Sequence, residues 1–248
     1  MTDNLFDLTG KVALVTGGSR GLGLQMVLAF ARAGADVVIA SRNADSCAAA
    51  AEEVRALGRR ALAHACHVGH WDELQDLADV AYREMGQVDI LVNNAGMSPL
   101  AASSAATSEE LFDKIIGVNF KGPFRLTSLI GPRMAAGEGG SIISISSTGA
   151  IRPQPSFLPY SGAKAALNII TEGFAKEYAP KVRVNAIMAG PFLTDISKAW
   201  SPESRERAHN ALGRPGQPDE IVTAALYLAS PRSSFTTGSV IRCDGGIP

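Results

Sequence analysis

The chain has 248 residues, 46% of them hydrophobic and 19% charged, enough for a sizeable core in one α/β domain or two small ones. A net charge of −1 with no basic block argues against nucleic acid as a partner, and no stretch reaches the roughly 20 apolar residues of a membrane span. Cys47, Cys66 and Cys243 are scattered and the N-terminus is acidic without an apolar run; a cytoplasmic setting is expected, with no disulfide framework and no signal peptide.

Short apolar runs alternate with longer helical patterns. The first run, Val12–Thr16, leads into Thr16-Gly17-Gly18-Ser19-Arg20-Gly21-Leu22-Gly23 and a helical pattern over Gly21–Ala33. Glycines at such a turn let the backbone approach a diphosphate while the helix N-terminus faces it. Gly17, Ser19, Arg20, Gly21, Leu22 and Gly23 are therefore candidate cofactor ligands. The spacing differs from GxGxxG, and alone it would also suit an ordinary tight strand–helix connection. The second strand, Asp36–Ala40, ends at Ser41-Arg42. A carboxylate at that place grips the adenosine ribose hydroxyl, whereas a cation accommodates a ribose phosphate. No acid stands here, so Ser41 and Arg42, with Arg20 as a second cation, favour NADP(H) over NAD(H).

A helix over Ala44–Leu57 precedes a third strand, Ala61–Ala65, a helix over Trp71–Met85, and a fourth strand, Asp89–Val92, closed by Asn93-Asn94-Ala95-Gly96. The helical stretch Ser108–Met134 contains Asn119 and should break or kink near Gly122-Pro123. Ser147 follows a fifth strand, Ser141–Ser146, where its hydroxyl could hold a substrate oxygen. Tyr160 and Lys164 open a helix over Tyr160–Tyr178, four residues apart and so on one face. A free phenol titrates near ~10, and a cation within about 4–6 Å stabilises its anion. Moving it to about 7 takes roughly 4 kcal/mol, which Lys164 and a positively charged nicotinamide could supply together. A sixth strand, Val182–Ile187, is followed by the irregular segment 190–218, expected to carry a short helix and to act as a lid. A helix over Pro218–Ala229 and a seventh strand, Ser239–Arg242, complete the pattern. It predicts a single doubly wound α/β (Rossmann) domain, with about seven parallel strands and helices on both faces.

Thr16–Gly23, Asn93–Gly96, Asn119, Ser147, Tyr160-x-x-x-Lys164, Asn185 with Gly190-Pro191, and Asp244-Gly245-Gly246 occur in this order. Together they resemble the short-chain dehydrogenase/reductase family over nearly the whole chain. The resemblance implies an oxidoreductase that transfers a hydride between NADP(H) and a carbonyl or secondary alcohol. It implies Tyr160 as general acid/base, Ser147 positioning the substrate oxygen, and Lys164 lowering the tyrosine pKa and binding the nicotinamide ribose. Asn119 would hold a water that relays protons through Lys164. Asn93, Ala95 and Gly96 would lie on the adenine side, Val68 would make a backbone contact there, and Gly190, Pro191 and Thr194 would meet the nicotinamide side. A homotetramer or homodimer is implied, with the Ser108–Met134 and Tyr160–Tyr178 helices at the contacts.

Three departures stand out: His67-Val68 where the family has Asp-Val, Gly190-Pro191 where it has Pro-Gly, and early entry of the sixth strand through Pro180-Lys181-Val182. The opening Leu5-Phe6-Asp7-Leu8-Thr9-Gly10-Lys11 is similar to gluconate and glucose dehydrogenases of the family. Acyl-carrier 3-oxoacyl-thioester reductases share the motifs but tend to carry a basic patch where this chain has Ala135-Ala136-Gly137-Glu138, which ranks them second. A non-catalytic NADP(H)-binding redox sensor is the alternative of another class; it has no need of Ser147, Tyr160 and Lys164.

Met97, Ile151, Phe157, Met188, Phe192, Leu193 and Trp200 are candidates for an apolar substrate pocket, and equally for packing the lid or a subunit contact. Arg152 reads as a solvated loop residue rather than an anion ligand. His64, Cys66, His67 and His70 cluster in sequence but do not converge along strand and turn, so no metal site is expected. Asp219-Glu220 suits a helix N-terminus.

Overall fold

A computed structural model describes residues 5–248. In chain order the elements are β1 (Val12–Thr16), α1 (Gly21–Arg32), β2 (Asp36–Ser41), α2 (Ala44–Ala56), β3 (Ala61–Ala65), α3 (Trp71–Met85), β4 (Ile90–Asn93), α4 (Glu109–Ile116), α5 (Gly122–Ala136), β5 (Gly140–Ser147), α6 (Leu158–Glu177), β6 (Val182–Ala189), α7 (Pro202–Glu206), α8 (Val222–Ala229) and β7 (Val240–Cys243). The strands form one seven-stranded sheet in the order β3-β2-β1-β4-β5-β6-β7. Every pairing is parallel, as the alternation of strand and helix requires.

The apolar run Val12–Val15 of β1 matches its burial on both faces. Val15 and Ala13 join a core with Met26 and Phe30 of α1, Val54 of α2 and Leu228 of α8. Val12 and Leu14 point the other way, into a core with Leu74 of α3, Leu126 and Ile130 of α5 and Phe174 of α6. Each such large side chain removed from water contributes about 1.5–3 kcal/mol. Helix starts carry local signals. Asn43 caps α2 by accepting from Ser46 N at 2.7 Å, and Ser108 caps α4 by accepting from Leu111 N at 3.2 Å.

The sheet order reverses between β1 and β4, which lie side by side with Ala13 opposite Ile90 and Val15 opposite Val92. The crossovers diverge there, leaving a crevice at the carboxyl ends of the strands. One expected feature changes form. The long helix is interrupted directly before Gly122-Pro123 by a π-helical turn, Gly117–Lys121. Asn119 drives this: its Nδ2 donates to the Ile115 carbonyl at 3.0 Å, competing for the helix ladder, while Pro123 sits harmlessly in the first turn of α5. The segment 190–218 holds a 3-10 turn, Asp195–Ala199, and the short helix α7.

Candidate active site

The glycine turn is built around Asn94. Its Nδ2 donates to Thr16 O at 2.9 Å and Gly17 O at 3.1 Å. Thr16 Oγ1 accepts from the backbone N–H of Asn94 at 3.0 Å and of Ala95 at 3.1 Å. Gly17 has φ +63°, and a Cβ there would fall 2.8 Å from Asn94 Nδ2, so only glycine lets the two strand ends close together. Gly23 lies against Gly17, its absent Cβ 2.1 Å from Gly17 O. α1 then starts with no side-chain cap and no acid in its first turn, which leaves its leading N–H groups for an anion. This arrangement fits a dinucleotide diphosphate. Ser19 and Ser41 lock the turn to the end of β2 through hydroxyls 2.9 Å apart.

The adenosine end carries Arg42, exposed beyond β2 and without an ion pair among the described residues. Arg20, expected as a second cation for a ribose phosphate, instead pairs with Asp195 at 3.2 Å. Asp195 also meets Lys198. Both cations hold its carboxyl below the usual range, the Lys198 hydrogen bond most strongly and Arg20 after it. Thr194 reaches the same place, its Cγ2 3.5 Å from where a Gly21 Cβ would stand. The glycine turn and the 190–218 segment therefore touch.

Three other cofactor-side candidates sit as follows. The Asn93 side chain is buried and donates to Thr127 Oγ1 at 2.9 Å; the strand pleat turns it into the α5 side, and Asn94 does the turn-holding work. Val68 is buried, with its carbonyl only 2.2 Å from the position a Gly122 Cβ would take, so its main chain is pressed onto α5. Gly190 donates its N–H to Cys243 O at 2.9 Å and lies against Asp244, 2.6 Å from its absent Cβ to Asp244 Cα. This pins Gly190-Pro191 to the turn that Asp244 itself closes by accepting from Gly246 N at 2.9 Å.

Ser147, Tyr160 and Lys164 meet where β5 ends and α6 begins. A Cβ on Gly149 would lie 3.4 Å from both Ser147 Oγ and Tyr160 Cε1, and 3.3 Å from Phe157 Cε2. Gly149 thus leaves the space in which these groups gather, and its N–H donates to Ser147 Oγ at 3.1 Å. Phe157 stands edge-on to the Tyr160 ring, 6.1 Å between centroids. Lys164 Nζ lies 5.7 Å from the Tyr160 ring centroid and donates to Ile145 O at 2.7 Å. Burial pushes the Lys164 ammonium down to about 8. Burial also pushes the Tyr160 phenol up, with the Ser147 hydroxyl working against it. The lowering of the phenol by Lys164 expected from sequence does not emerge: burial dominates, and the Ser147 hydroxyl is what opposes it. Asn119 completes the wall. Its amide is taken up by Met97 O at 2.8 Å, Met97 N at 3.3 Å and Ile115 O, so it braces the Gly96-Met97 strand end. Gly96, exposed, is the step between them: a Cβ there would lie 3.1 Å from Asn119 Oδ1 and 3.7 Å from Lys164 Nζ.

The apolar candidates divide. Phe157 adjoins Tyr160 as described, Ile151 is 39% exposed at the rim, and Met97 packs onto the α3/α5/α6 side. Met188 is buried near the end of β6, on the pleat face of Val184 and Ala186. Trp200 and Leu193 are partly buried in the 190–218 segment. Phe192 does not join them. It is buried in the α1/α8 core with Ala189 and Ile221 and stacks over Gly216, whose Cβ would come within 2.7 Å of its ring. A cavity of about 160 Å³ behind it is lined by Asn210, Leu212, Arg214 and Cys243, and by none of Ser147, Tyr160 or Lys164. The histidines also part company: His64 pairs with Asp76 at 3.2 Å, while the His67 and His70 rings stack 4.2 Å apart.

The model of the short chain dehydrogenase family matches residues 11–205, which contain the glycine turn, Asn119, Ser147, Tyr160 and Lys164. An uncharacterised oxidoreductase of Mycobacterium tuberculosis is 41% identical over 249 residues, covering 98% of this chain and 94% of the relative. The 7alpha-hydroxysteroid dehydrogenase of Escherichia coli is 36% identical over 249 residues, covering 99% and 96%. The solved structure of a 7alpha-hydroxysteroid dehydrogenase complexed with NADH and 7-oxo glycochenodeoxycholic acid superposes with a TM-score of 0.94 at 34% identity, covering 99% of this chain and 97% of that one. Among the described residues no helix is long and apolar enough to cross a membrane. With its Rossmann-type sheet and a dinucleotide cradle beside Ser147, Tyr160 and Lys164, this chain belongs to the short-chain dehydrogenase family, oxidoreductases that bind NAD(P)(H) and act on CH–OH groups.

Proposed function

We propose that the protein interconverts a carbonyl and a secondary alcohol with NADP(H), using Tyr160 as general acid/base. The observation that carries this reading is the gathering of Ser147, Tyr160 and Lys164 around Gly149 at the crevice end of β5. The bound dinucleotide supplies the hydride; the chain supplies orientation and the proton. In the reducing direction the Ser147 hydroxyl donates to the substrate carbonyl oxygen and holds it against Tyr160. The Tyr160 Oη proton passes to that oxygen as the C–H bond forms, leaving a phenolate beside the Lys164 ammonium. Oxidation runs the same transfer backwards. In the oxidising direction a buried phenol raised above its ordinary value stays protonated and is a poor base, and an oxidised, positively charged nicotinamide would add to Lys164 in favouring its ionisation.

NADP(H) is favoured because Arg42 stands unpaired where β2 ends and no carboxylate accompanies it. NADH bound to the 7alpha-hydroxysteroid dehydrogenase belongs to that protein. The substrate wall is Met97, Ile151, Phe157, Met188 and Trp200, which suits an apolar ketone or alcohol; the 190–218 segment serves as its lid and the working form is a homo-oligomer. The test is a panel of ketones, sugars and thioesters with NADPH and NADH. Tyr160→Phe should lose turnover by about 10³-fold or more while dinucleotide affinity stays within twofold. Full turnover in Tyr160→Phe removes the catalytic assignment, and wild-type preference for NADH removes the cofactor assignment.

A further inference from the structure

The rim beyond β2 and β3 carries chemistry that the catalytic reading leaves unused. Ser41 and Ala65 are register partners, and Ser41 O accepts from Cys66 N at 2.9 Å. The ladder therefore runs to the last residues of both strands, whose chains lie about 4.8 Å apart; Arg42 and Cys66 come next, and His67 follows one residue on, near enough for the Arg42 charge to act on its ring. The His67 ring is fixed. Its Nδ1 accepts from Gly69 N at 3.1 Å, its plane stacks on His70 at 19°, and its main-chain N–H donates to Glu73 Oε2 at 2.6 Å. A neutral imidazole whose Nδ1 accepts carries its proton on Nε2. The ring can thus donate to an anion but cannot accept there.

Doubly wound sheets place the adenosine ribose over the end of the second strand, where Arg42 and His67 stand. We propose that His67 is a second ligand, beside Arg42, for a phosphate ester on that ribose, and that phosphate binding draws a proton from solvent onto its imidazole. The inference rests on the NADP(H) reading above. The groups facing the ring are Arg42, His70 of the same turn, and Glu73 of α3. Burial, then His70, then Arg42 disfavour a charge on His67, and Glu73 favours it; the balance keeps the ring neutral in the free protein. A dianion placed beside it reverses that balance. Protonation converts Nδ1 from acceptor to donor and releases the Gly69 N–H. A cofactor without the ribose phosphate supplies no such charge and takes up no proton.

The test is titration calorimetry of wild type and His67→Asn with adenosine 2′,5′-bisphosphate and with 5′-AMP, at neutral pH in buffers of different ionisation enthalpy. Asparagine puts an oxygen where Nδ1 lies and keeps the Gly69 N–H satisfied; His67→Gln is the second variant should the first fail to fold. Wild type is expected to take up a measurable fraction of a proton with the bisphosphate and none with 5′-AMP. The ligand phosphate, with a second pKa near ~6, contributes a small release that is the same in both proteins. The variant should lose the uptake and bind the bisphosphate about tenfold more weakly, the loss of one charge-assisted hydrogen bond, with 5′-AMP affinity unchanged. Equal uptake and affinity in both proteins, alongside a clear preference for the bisphosphate, would overturn the role of His67 and leave the cofactor reading intact. Equal wild-type affinity for the two ligands overturns the cofactor reading itself, and this inference with it.

Discussion

Gly23→Ala tests the cradle at its tightest point. The new Cβ would sit 2.1 Å from Gly17 O, 2.8 Å from Gly17 C and 2.5 Å from Asn94 Nδ2. Carbon–oxygen contacts do not close much below ~3.3 Å, so the first turn of α1 must withdraw by about 1 Å. The turn cannot yield instead, because Gly17 O is held by Asn94 and Gly17 N donates to Ala40 O at 2.7 Å. Overpacking of this kind costs about 1–3 kcal/mol, and each kcal/mol lowers Tm by about 2–4 °C in a domain of this size; a fall of roughly 2–12 °C is expected. The same withdrawal takes the helix N–H groups away from the diphosphate. Losing one hydrogen bond to a charged group, about 1.5–3 kcal/mol, weakens dinucleotide binding about 10- to 150-fold. Differential scanning fluorimetry and fluorescence titration with NADPH read the two effects. Gly162→Ala is the control, since a Cβ there meets nothing within 4 Å and alanine favours a helix by about 0.5–1 kcal/mol. A Gly23→Ala protein with unaltered Tm and affinity would refute the claim that this contact sets the cradle.

Asn185 is fully buried, its Nδ2 donating to Thr236 O at 2.9 Å and its Oδ1 accepting from Ser239 N at 3.0 Å. Asn185→Ala strands two backbone groups at about 1–3 kcal/mol each, so urea unfolding should show a loss of about 2–5 kcal/mol; a loss below ~0.5 kcal/mol contradicts this. Burial holds Lys164 near 8, below its ordinary 10.5, so between those pH values the unfolded chain keeps a proton that the folded one has released. Stability therefore rises with pH across that window, and Lys164→Met should remove on the order of 2 kcal/mol of the rise between roughly pH 7.5 and 9.5; parallel curves reject the buried-ammonium reading. The Arg214 hydrogen bonds, then the Gln217 N–H, hold Glu220 down near 2 against an ordinary 4.5. Its contribution is present above about 4.5 and lost as pH falls toward 2, so Arg214→Gln should flatten the acid limb of the stability profile; identical acid limbs exclude the pair as a contributor.

What could be read from the sequence was local. Tyr160 and Lys164 share a helix face by spacing alone, and β1 announces its double burial because every residue from Val12 to Val15 is apolar. Strand ends were less legible because pairing, not hydrophobicity, sets them. β5 and β6 continue past their apolar runs until Ser147 pairs with Ala189, and that extra step carries Ser147 to the crevice. The misreadings share a cause in contacts between distant segments. Pro123 looks like the helix breaker, yet the wide turn comes from Asn119 reaching back to Ile115 and across to Met97. Two adjacent asparagines look equivalent, yet the strand pleat sends Asn93 to Thr127 and Asn94 to the glycine turn. Arg20 finds Asp195 far along the chain, and Phe192 finds Gly216.

These distant contacts also explain why the departures from the family pattern leave the reacting groups in place. Gly190 is fixed by Cys243 and the Asp244 turn rather than by its proline neighbour, so the exchanged order of proline and glycine leaves the end of β6 tied to β7. Lys164 is held by the Ile145 carbonyl of β5 and the Tyr160 ring, and β5 lies four strands along the sheet from β3, which His67 follows. Variation beyond β2 and β3 and in the 190–218 segment can therefore occur while Tyr160 and Lys164 stay anchored to β5 and α6.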